Sequence, residues 1–381
     1  MPRLDRIEAG HYRIPLPEVL TDSTHGAMAA FELITCRVTD AEGAEGTGYT
    51  YTVGRNGGAV HHILAHEIAE LAAGQDADRI EAMWQHVWWG LHYGGRGGPA
   101  VLAQSAFDIA LWDHKAKRAG VALWRLLGGH DPRVPCYAGG IDLDLSAEAL
   151  IRQTDGNLAR GFRAIKMKVG RPRLSEDVAK LAAMRAHLGE GFPLMVDANM
   201  RWTADAAIRA ARAFAPYDPY WLEEPVQPED VAGHARVLRE GGVPVASGEN
   251  LRSLWDFQAL IVAGGVSFPE PDVTNCGGVT AFMKIAHLAE AFHLKCEVHD
   301  AYNAMNNVAT AHLVMAMPNC DWFEVLAFNR AGDHSLEHLS YGLAEPLHID
   351  GEGHLHAPTA PGLGVDVDWE RIDSARIGVL T

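Results

Sequence analysis

Alternating apolar and polar positions near the start of the chain predict an antiparallel hairpin. The segments FELITCRVTD and GTGYTYTVG have the two-residue period of strands and flank a turn-prone stretch from Asp40 to Gly46. Apolar residues then recur at helical spacing over residues 59–73 and 80–91, and Pro99 begins a long helix that ends near Gly120. Residues 1–130 are therefore expected to form a separate α+β domain.

From residue 131 the pattern changes to a repeated unit: a short apolar strand, a polar residue that closes it, and an amphipathic helix. The first strand would be VPCYAGG, and the following cores are RAIKMKV, FPLMVDA, PYWLEE, VPVASGE, VSFPEPD, LKCEVHD and DWFEV. The polar residues that close these seven cores are 23 to 29 residues apart. Such alternation predicts an α/β fold with a closed barrel over residues 131–345. Residues 346–381, with a short LHID strand, are expected to pack back on the N-terminal domain.

The composition favours a soluble enzyme over several other classes. Of the 381 residues, 48% are hydrophobic, and 32 Lys and Arg against 49 Asp and Glu give a formal net charge of −17. Nucleic-acid binding normally requires clustered Lys and Arg, so no such partner is expected. No apolar run approaches the ~20 residues that span a bilayer, and the N-terminus carries acids where a signal peptide needs an apolar core. The five cysteines form no C-x-x-C pair and are interpreted as reduced, so a cytoplasmic location without membrane contact is expected.

Seven of the predicted barrel strands are closed by residues that can carry chemistry. In a parallel barrel the carboxyl ends of the strands meet at one mouth, so these side chains would face a common space the size of a metabolite. Any single acid at a strand end is more often a helix cap, but seven in succession favour an active site. They are Lys168, Asp197, Glu223, Glu249, Asp272, His299 and Glu324.

Three successive strands end in carboxylates, Asp197, Glu223 and Glu249. Hard oxygen ligands without His or Cys suit Mg²⁺ or Mn²⁺ better than zinc. Without a cation, three negative charges at the mouth of an apolar barrel would repel one another. The alternative is that each acid pairs with a loop Arg or Lys. The residues alone leave open whether Glu223 or its neighbour Glu224 is the inward ligand.

Two lysines and a histidine are candidates for moving protons. Lys166 and Lys168 lie two apart on one strand, so both should point into the barrel. Mutual repulsion would lower the proton affinity of each and could make one a neutral base near pH 7. On the opposite arc, His299 with Asp272 one strand earlier offers an imidazole oriented by a carboxylate.

The order of these motifs resembles the enolase superfamily, specifically its mandelate racemase subgroup, over essentially the whole chain. The motifs are Lys166-Met167-Lys168, Val196-Asp197-Ala198-Asn199, Glu223-Glu224-Pro225, Gly248-Glu249-Asn250, Pro271-Asp272 and His299. The resemblance implies an N-terminal α+β capping domain, completed by the C-terminal segment, over a modified TIM barrel of the (β/α)7β type. It also implies a homo-oligomer, either a dimer or an octamer.

The resemblance further implies a role for each site residue. Mg²⁺ would be held by Asp197, Glu223 and Glu249, with Mn²⁺ as a possible substitute. Lys168 would be one acid/base with Lys166 as its electrostatic partner, and Asp272 with His299 would be the other. Glu324 resembles the acid that hydrogen-bonds the substrate carboxylate, and Asn199 is a weaker candidate for a substrate contact.

The shared chemistry of this family is abstraction of the proton α to a carboxylate, with the metal stabilising the charge that develops. A Lys-x-Lys base with a His-Asp dyad resembles the acid-sugar dehydratases, so loss of water to give a 2-keto-3-deoxy acid is the leading hypothesis. A racemase, epimerase or cycloisomerase would use the same two bases and stays open. A non-catalytic barrel that binds acid sugars would not need Lys168 and His299.

Two polar loops of the capping domain are expected to line the substrate end of the site. They span residues 16–26 and 50–58 and offer His25, Arg55 and Asn56 as hydrogen-bond donors. Such donors suit hydroxyls or a second carboxylate better than a phenyl ring. Arg55 would favour a dicarboxylic sugar acid such as galactarate or talarate. The alternative is that these are ordinary turn residues.

Overall fold

The computed structural model describes residues 1–300, 304–326, 342–345 and 347–377. It confirms a modified TIM barrel covered by an N-terminal capping domain. Among the described residues, no helix combines the length and the apolar character that crossing a membrane requires.

A three-stranded antiparallel sheet begins the chain. Its strands, in spatial order, are β1 (Leu4–Asp22), β2 (Gly26–Asp40) and β3 (Glu45–Thr52). Burial alternates along β3 until the strand enters the interior, where Tyr49 and Tyr51 are both buried. The hairpin predicted around residues 40–46 is therefore the β2–β3 connection.

Helices cover one face of this sheet. They are α1 (Gly57–His62), a π-helical turn (Ile63–Ile68), α2 (Ala69–Ala72), α3 (Ile80–Leu91), a 3₁₀ turn (His92–Gly94) and α4 (Gly98–Ala119). The long helix α4 lies so close to β3 that a methyl group at Gly48 would be only 2.0 Å from the carbonyl oxygen of Ala106. Glycine is required at this close approach of strand and helix.

The barrel strands are parallel. They are β4 (Arg133–Gly139), β5 (Ala164–Lys168), β6 (Leu194–Asp197), β7 (Leu222–Glu223), β8 (Val245–Ser247), β9 (Phe268–Pro269) and β10 (Phe323–Leu326), and β10 pairs with β4. From β4 to β9, neighbours in the sheet are also neighbours along the chain. The strands are nearly all buried, since helices cover the outside and side chains fill the inside.

Helices connect the barrel strands and form its outer layer. A short helix, α5 (Leu123–Leu126), precedes β4. The helices that follow are α6 (Ala147–Ala159), α7 (Leu174–Leu188), α8 (Ala204–Phe214) with a 3₁₀ turn (Ala215–Tyr217), α9 (Val231–Gly241), α10 (Leu254–Val262), α11 (Gly278–Ala291) and α12 (Ala304–Val314).

One predicted strand is not formed as expected. The segment LKCEVHD, residues 294–300, has no ladder pairing, although it bonds to the β10 side of the barrel. The Cys296 amide donates to the Asn319 carbonyl oxygen at 2.7 Å, and the Asp300 amide donates to Glu324 Oε2 at 3.1 Å. A side-chain acceptor thus replaces a backbone acceptor at the end that carries His299.

The C-terminal segment contacts both the barrel and the cap. A strand at His354–His356 (β11), rather than at LHID, pairs antiparallel with β4, and Ile349 makes only an isolated bridge with Leu355. Helix α13 (Trp369–Asp373) follows. The Arg13 amide then donates to the Ala375 carbonyl oxygen at 2.9 Å, along the free edge of β1. The domain boundaries stay predictions, and residue 346 lies outside the described residues.

A buried carboxyl joins the cap to the barrel away from the mouth. Asp108 of α4 accepts hydrogen bonds from the Thr280 amide at 2.8 Å and the Thr280 hydroxyl at 2.7 Å, at the start of α11. Burial raises the pKa of Asp108 to about 7. This contact between cap and barrel therefore contains a carboxyl group whose protonation changes near neutral pH.

Candidate active site

The strand-end residues singled out in the sequence come together at one end of the barrel. Lys168, Asp197 and Glu223 are the last residues of β5, β6 and β7, and their backbones are paired side by side. Glu249 and Asp272 follow β8 and β9 by two and three residues. Glu324 lies inside β10 rather than at its end, because that strand continues to Leu326.

Asp197, Glu223 and Glu249 form a compact group of carboxylates. One oxygen from each lies within 4.8 Å of the others. Burial and, to a smaller extent, the neighbouring Asp197 raise the pKa of Glu223 to about 8. An all-carboxylate donor set of this size suits a hard divalent cation such as Mg²⁺. The residues therefore fit the metal predicted from the sequence.

Glu224 does not belong to this carboxylate group. Its backbone has a positive φ of 39°, and its carboxylate accepts hydrogen bonds from the Asn250 side-chain amide at 2.9 and 3.1 Å. The same amide nitrogen lies 3.2 Å from Glu249 Oε1. Glu224 thus orients Asn250 beside the metal-site carboxylates, and the inward acid of the pair is Glu223.

The two lysines pair with buried carboxylates, and this pairing works against the neutral lysine suggested by the sequence. Lys166 Nζ lies 2.8 Å from Glu223 Oε1 and 2.8 Å from Glu324 Oε1, and Lys168 pairs with Asp197. Burial favours the neutral amine, but the paired carboxylates raise the pKa of both lysines. Attraction to several close acids therefore exceeds the repulsion between the two ammonium groups.

His299 and Asp272 form a hydrogen-bonded dyad on the other side of the carboxylates. His299 Nδ1 lies 3.0 Å from Asp272 Oδ2, and His299 Nε2 lies 3.3 Å from Glu249 Oε2. Burial opposes protonation of the imidazole, but Glu249 and Asp272 raise the pKa of His299 to about 10. Lys168 and His299 thus contact different members of the carboxylate group, Asp197 and Glu249.

The loop that joins β1 and β2 is fastened to the barrel beside Lys168. Ser23 Oγ donates to the Ala198 carbonyl oxygen at 2.7 Å, and Thr24 Oγ1 donates to the Asn199 carbonyl oxygen. Asp22 Oδ2 lies 2.7 Å from His25 Nδ1, and this hydrogen bond, which outweighs burial, raises the pKa of His25. His25 was predicted as a cavity residue, and its pairing with Asp22, three residues earlier in the same loop, is an addition from the structure.

A cavity of about 250 Å³ lies between the cap and the barrel mouth. It is lined by His25, Arg55 and Asn56 of the cap and by Lys166, Lys168, Asn199, Glu249, His299 and Glu324 of the barrel, all predicted site residues. Asn199 is 3% exposed, and its Oδ1 has no hydrogen-bond partner among the described residues. An unpaired acceptor of this kind suits a substrate hydroxyl. Arg252, which the sequence analysis missed, also lines the cavity.

Comparison with known proteins shows matches along nearly the whole chain. Residues 15–128 match the model of the mandelate racemase/muconate lactonizing enzyme N-terminal domain, and residues 149–371 match the enolase C-terminal domain-like model. A 3,6-anhydro-alpha-L-galactonate cycloisomerase from Streptomyces coelicolor is 50% identical over 98% of this chain and 100% of its own.

Two further matches extend the comparison. An L-talarate/galactarate dehydratase from Salmonella typhimurium is 37% identical over 77% of this chain and 72% of its own. Among solved structures, a racemase from Streptomyces coelicolor A3(2) with bound magnesium superposes with a TM-score of 0.91 at 50% identity, covering 98% of this chain and 100% of its own.

Proposed function

The chain belongs to the mandelate racemase/muconate lactonizing enzyme family of the enolase superfamily, and from this we propose that it is a cycloisomerase of an anhydro sugar acid. The relative of the same activity supports this more strongly than the dehydration favoured by the sequence. The cofactor is Mg²⁺, which the similar racemase structure contains and which the carboxylate group fits. The observation that carries the proposal is that Lys168 and His299 contact different members of that group, Asp197 and Glu249.

Ring opening of a 3,6-anhydro sugar acid is a β-elimination. A base takes the proton from C2, the C2–H electron pair forms the C2=C3 double bond, and the C3–O bond breaks. The departing oxygen takes a proton but stays attached at C6 as a hydroxyl. The resulting enol becomes a 2-keto-3-deoxy acid, so substrate and product are isomers.

We assign the proton transfers to these two groups. Lys168 takes the C2 proton in its neutral form, which a cation held by Asp197 would favour by taking over that carboxylate. His299, oriented by Asp272, donates a proton to the departing oxygen. Lys166 and Glu324 form the end of the cavity that receives the substrate carboxylate. Asn199 Oδ1 accepts a hydrogen bond from a substrate hydroxyl. When bound by Asp197, Glu223 and Glu249, the cation stabilises the negative charge that develops on the substrate.

Dehydration is the second candidate, because it differs only in the leaving oxygen. If C3 carries a free hydroxyl, the same two residues expel water instead of opening a ring. Identity of 37% to a talarate/galactarate dehydratase supports this reaction. Arg55 at the cavity lining would then bind the second carboxylate of a diacid. A homo-oligomer, dimer or octamer, stays a prediction.

The test is a substrate panel with Mg²⁺ that includes 3,6-anhydrogalactonate, galactarate, talarate and galactonate. A carbonyl reagent detects 2-keto acid, and mass spectrometry compares product with substrate. Product of unchanged mass from the anhydro acid is the expected result. Product lighter by one water from an open-chain acid would move the assignment to dehydratase. Exchange of the C2 proton in D₂O without keto acid would point to a racemase or epimerase.

A further inference from the structure

A tyrosine of the capping domain reaches the catalytic dyad of the barrel. Resting on the proposed function, we propose that Tyr51 is a positioning residue for the proton donor His299. Its hydroxyl fixes the Asp272 oxygen on which the imidazole is held, so the cap completes the acid half of the active site. Neither the motifs nor the assigned roles of the site residues include this contribution.

Tyr51 and His299 share one oxygen of Asp272. The tyrosine hydroxyl donates to Asp272 Oδ2 at 3.2 Å, and His299 Nδ1 lies 3.0 Å from the same oxygen. The other oxygen, Oδ1, accepts from the Thr274 amide at 2.7 Å and the Thr274 hydroxyl at 2.6 Å. Bonds to Oδ1 alone leave the carboxyl group free to pivot about that oxygen. The Asn275 side-chain amide also donates to Oδ2, but at 3.4 Å. The shorter bond from the Tyr51 hydroxyl therefore gives the tighter restraint on the second oxygen and hence on the plane of the imidazole.

The strand that carries Tyr51 is itself anchored at this point. Thr50 Oγ1 donates to the Thr274 carbonyl oxygen at 2.9 Å in a buried contact. Tyr51 is 6% exposed and lines the cavity. The end of β3 is therefore hydrogen-bonded to the turn after β9 through two adjacent residues, Thr50 and Tyr51. A small movement of the cap would be transmitted to His299 through Asp272.

The same strand provides a matched control. Tyr49, two residues earlier, also crosses from the cap to the barrel, where its hydroxyl accepts a hydrogen bond from the Ala309 amide at 3.0 Å. Tyr49 is as deeply buried, and its hydroxyl bonds to the backbone of α12. Tyr51→Phe and Tyr49→Phe each remove one buried interdomain hydroxyl, and the hydroxyl removed by Tyr51→Phe is the one that donates to Asp272.

The experiment measures both proton steps in the holoenzyme with Mg²⁺. Exchange of the C2 proton in D₂O reports the base, and keto-acid formation also requires the acid. In Tyr51→Phe we expect kcat to fall about tenfold with KM little changed, because a misplaced general acid loses part of its ~10²–10⁴-fold contribution. The ratio of exchange to elimination should rise by a similar factor. Tyr49→Phe should leave that ratio at the wild-type value.

An unchanged ratio in Tyr51→Phe, or equal losses in both variants, would overturn the proposal in favour of a structural role. If the wild type forms keto acid from no sugar acid, the proposed function fails, and an NMR measurement tests Tyr51 separately. The downfield His299 Nδ1 proton, assigned by its loss in His299→Asn, should shift in Tyr51→Phe but not in Tyr49→Phe. The same chemical shift of this proton in wild type, Tyr51→Phe and Tyr49→Phe would also count against the proposal.

Discussion

Lys166 lies 2.8 Å from Glu324, and both side chains are less than 5% exposed. This ion pair links β5 to β10 across the intervening strand β4 at the floor of the cavity. Because Lys166 also contacts Glu223 at 2.8 Å, one ammonium group pairs with two buried acidic side chains. The floor of the site is therefore held together by charge as well as by backbone pairing.

Loss of Lys166 should destabilise the fold more than loss of an exposed lysine. Lys166→Met leaves two buried acids unpaired, which costs about 3–5 kcal/mol. The control is Lys295→Met, whose exposed pair with Asp321 contributes at most about 1 kcal/mol. Chemical denaturation in EDTA measures both values. Equal effects of the two substitutions would show that the buried pair does not stabilise the fold.

The two adjacent glutamates should differ in metal binding. Glu223→Gln removes a member of the carboxylate group, so we expect no Mg²⁺ binding detectable by calorimetry. Glu224→Gln changes only a residue that orients Asn250, and such changes cost roughly 10- to 100-fold in affinity. Stronger loss in Glu224→Gln than in Glu223→Gln would reverse the assignment of the ligand.

The two proton carriers should be separable by isotope exchange. Lys168→Met should abolish both C2-proton exchange and keto-acid formation, because the base is gone. His299→Asn should keep exchange and lose at least about 10²-fold in elimination, the lower end of a general acid's contribution. NMR in D₂O measures both activities on one sample. Exchange that survives in Lys168→Met but not in His299→Asn would mean that the roles are exchanged.

Asp108, which lies outside the active site, should make the stability of the folded protein depend on pH. Its pKa is raised from 3.8 to about 7 by burial, so the folded protein binds more protons than the unfolded chain between these values. Stability is therefore lost as pH rises through this window. In Asp108→Asn the side-chain oxygen can still accept from the Thr280 amide, and the side-chain NH₂ can donate to the Thr280 hydroxyl oxygen. The variant removes the titrating group, so its melting temperature relative to wild type should increase from pH 5 to pH 8. Asp205→Asn, at a surface ion pair, controls for net charge, and parallel curves for wild type and Asp108→Asn would contradict the assignment.

Much of the architecture was predictable because it repeats along the chain. Each barrel strand is short, apolar and followed by an amphipathic helix, and the two-residue period of a strand already put Lys166 and Lys168 on one face. The matches to the family models confirm the fold class and the family that this pattern predicted. The positions of the carboxylates followed from the rule that parallel strands present their carboxyl ends at one mouth.

The rest depended on distances through space that no local pattern contains. The pKa of each lysine is governed by how many acids lie within contact, and Lys166 meets acids 57 and 158 residues further along the chain. Tyr51 meets Asp272 across 221 residues. The choice between dehydration and cycloisomerisation could not be made from the sequence, because a free and a tethered leaving oxygen require the same base and the same acid.

The bonds between the N-terminal strand and the C-terminal segment set an order of events during synthesis. Tyr12 donates to Asp373 at 3.2 Å, and their separation of 361 residues corresponds to about 18 to 72 s at ribosomal rates of 5–20 residues per second. Over that interval the part of β1 from His11 to Arg13 lacks the backbone partners that Ala375 and Ile377 later provide. The nascent cap therefore carries an open stretch of sheet edge, the feature most prone to pairing with another chain, until residues 375 and 377 cover it.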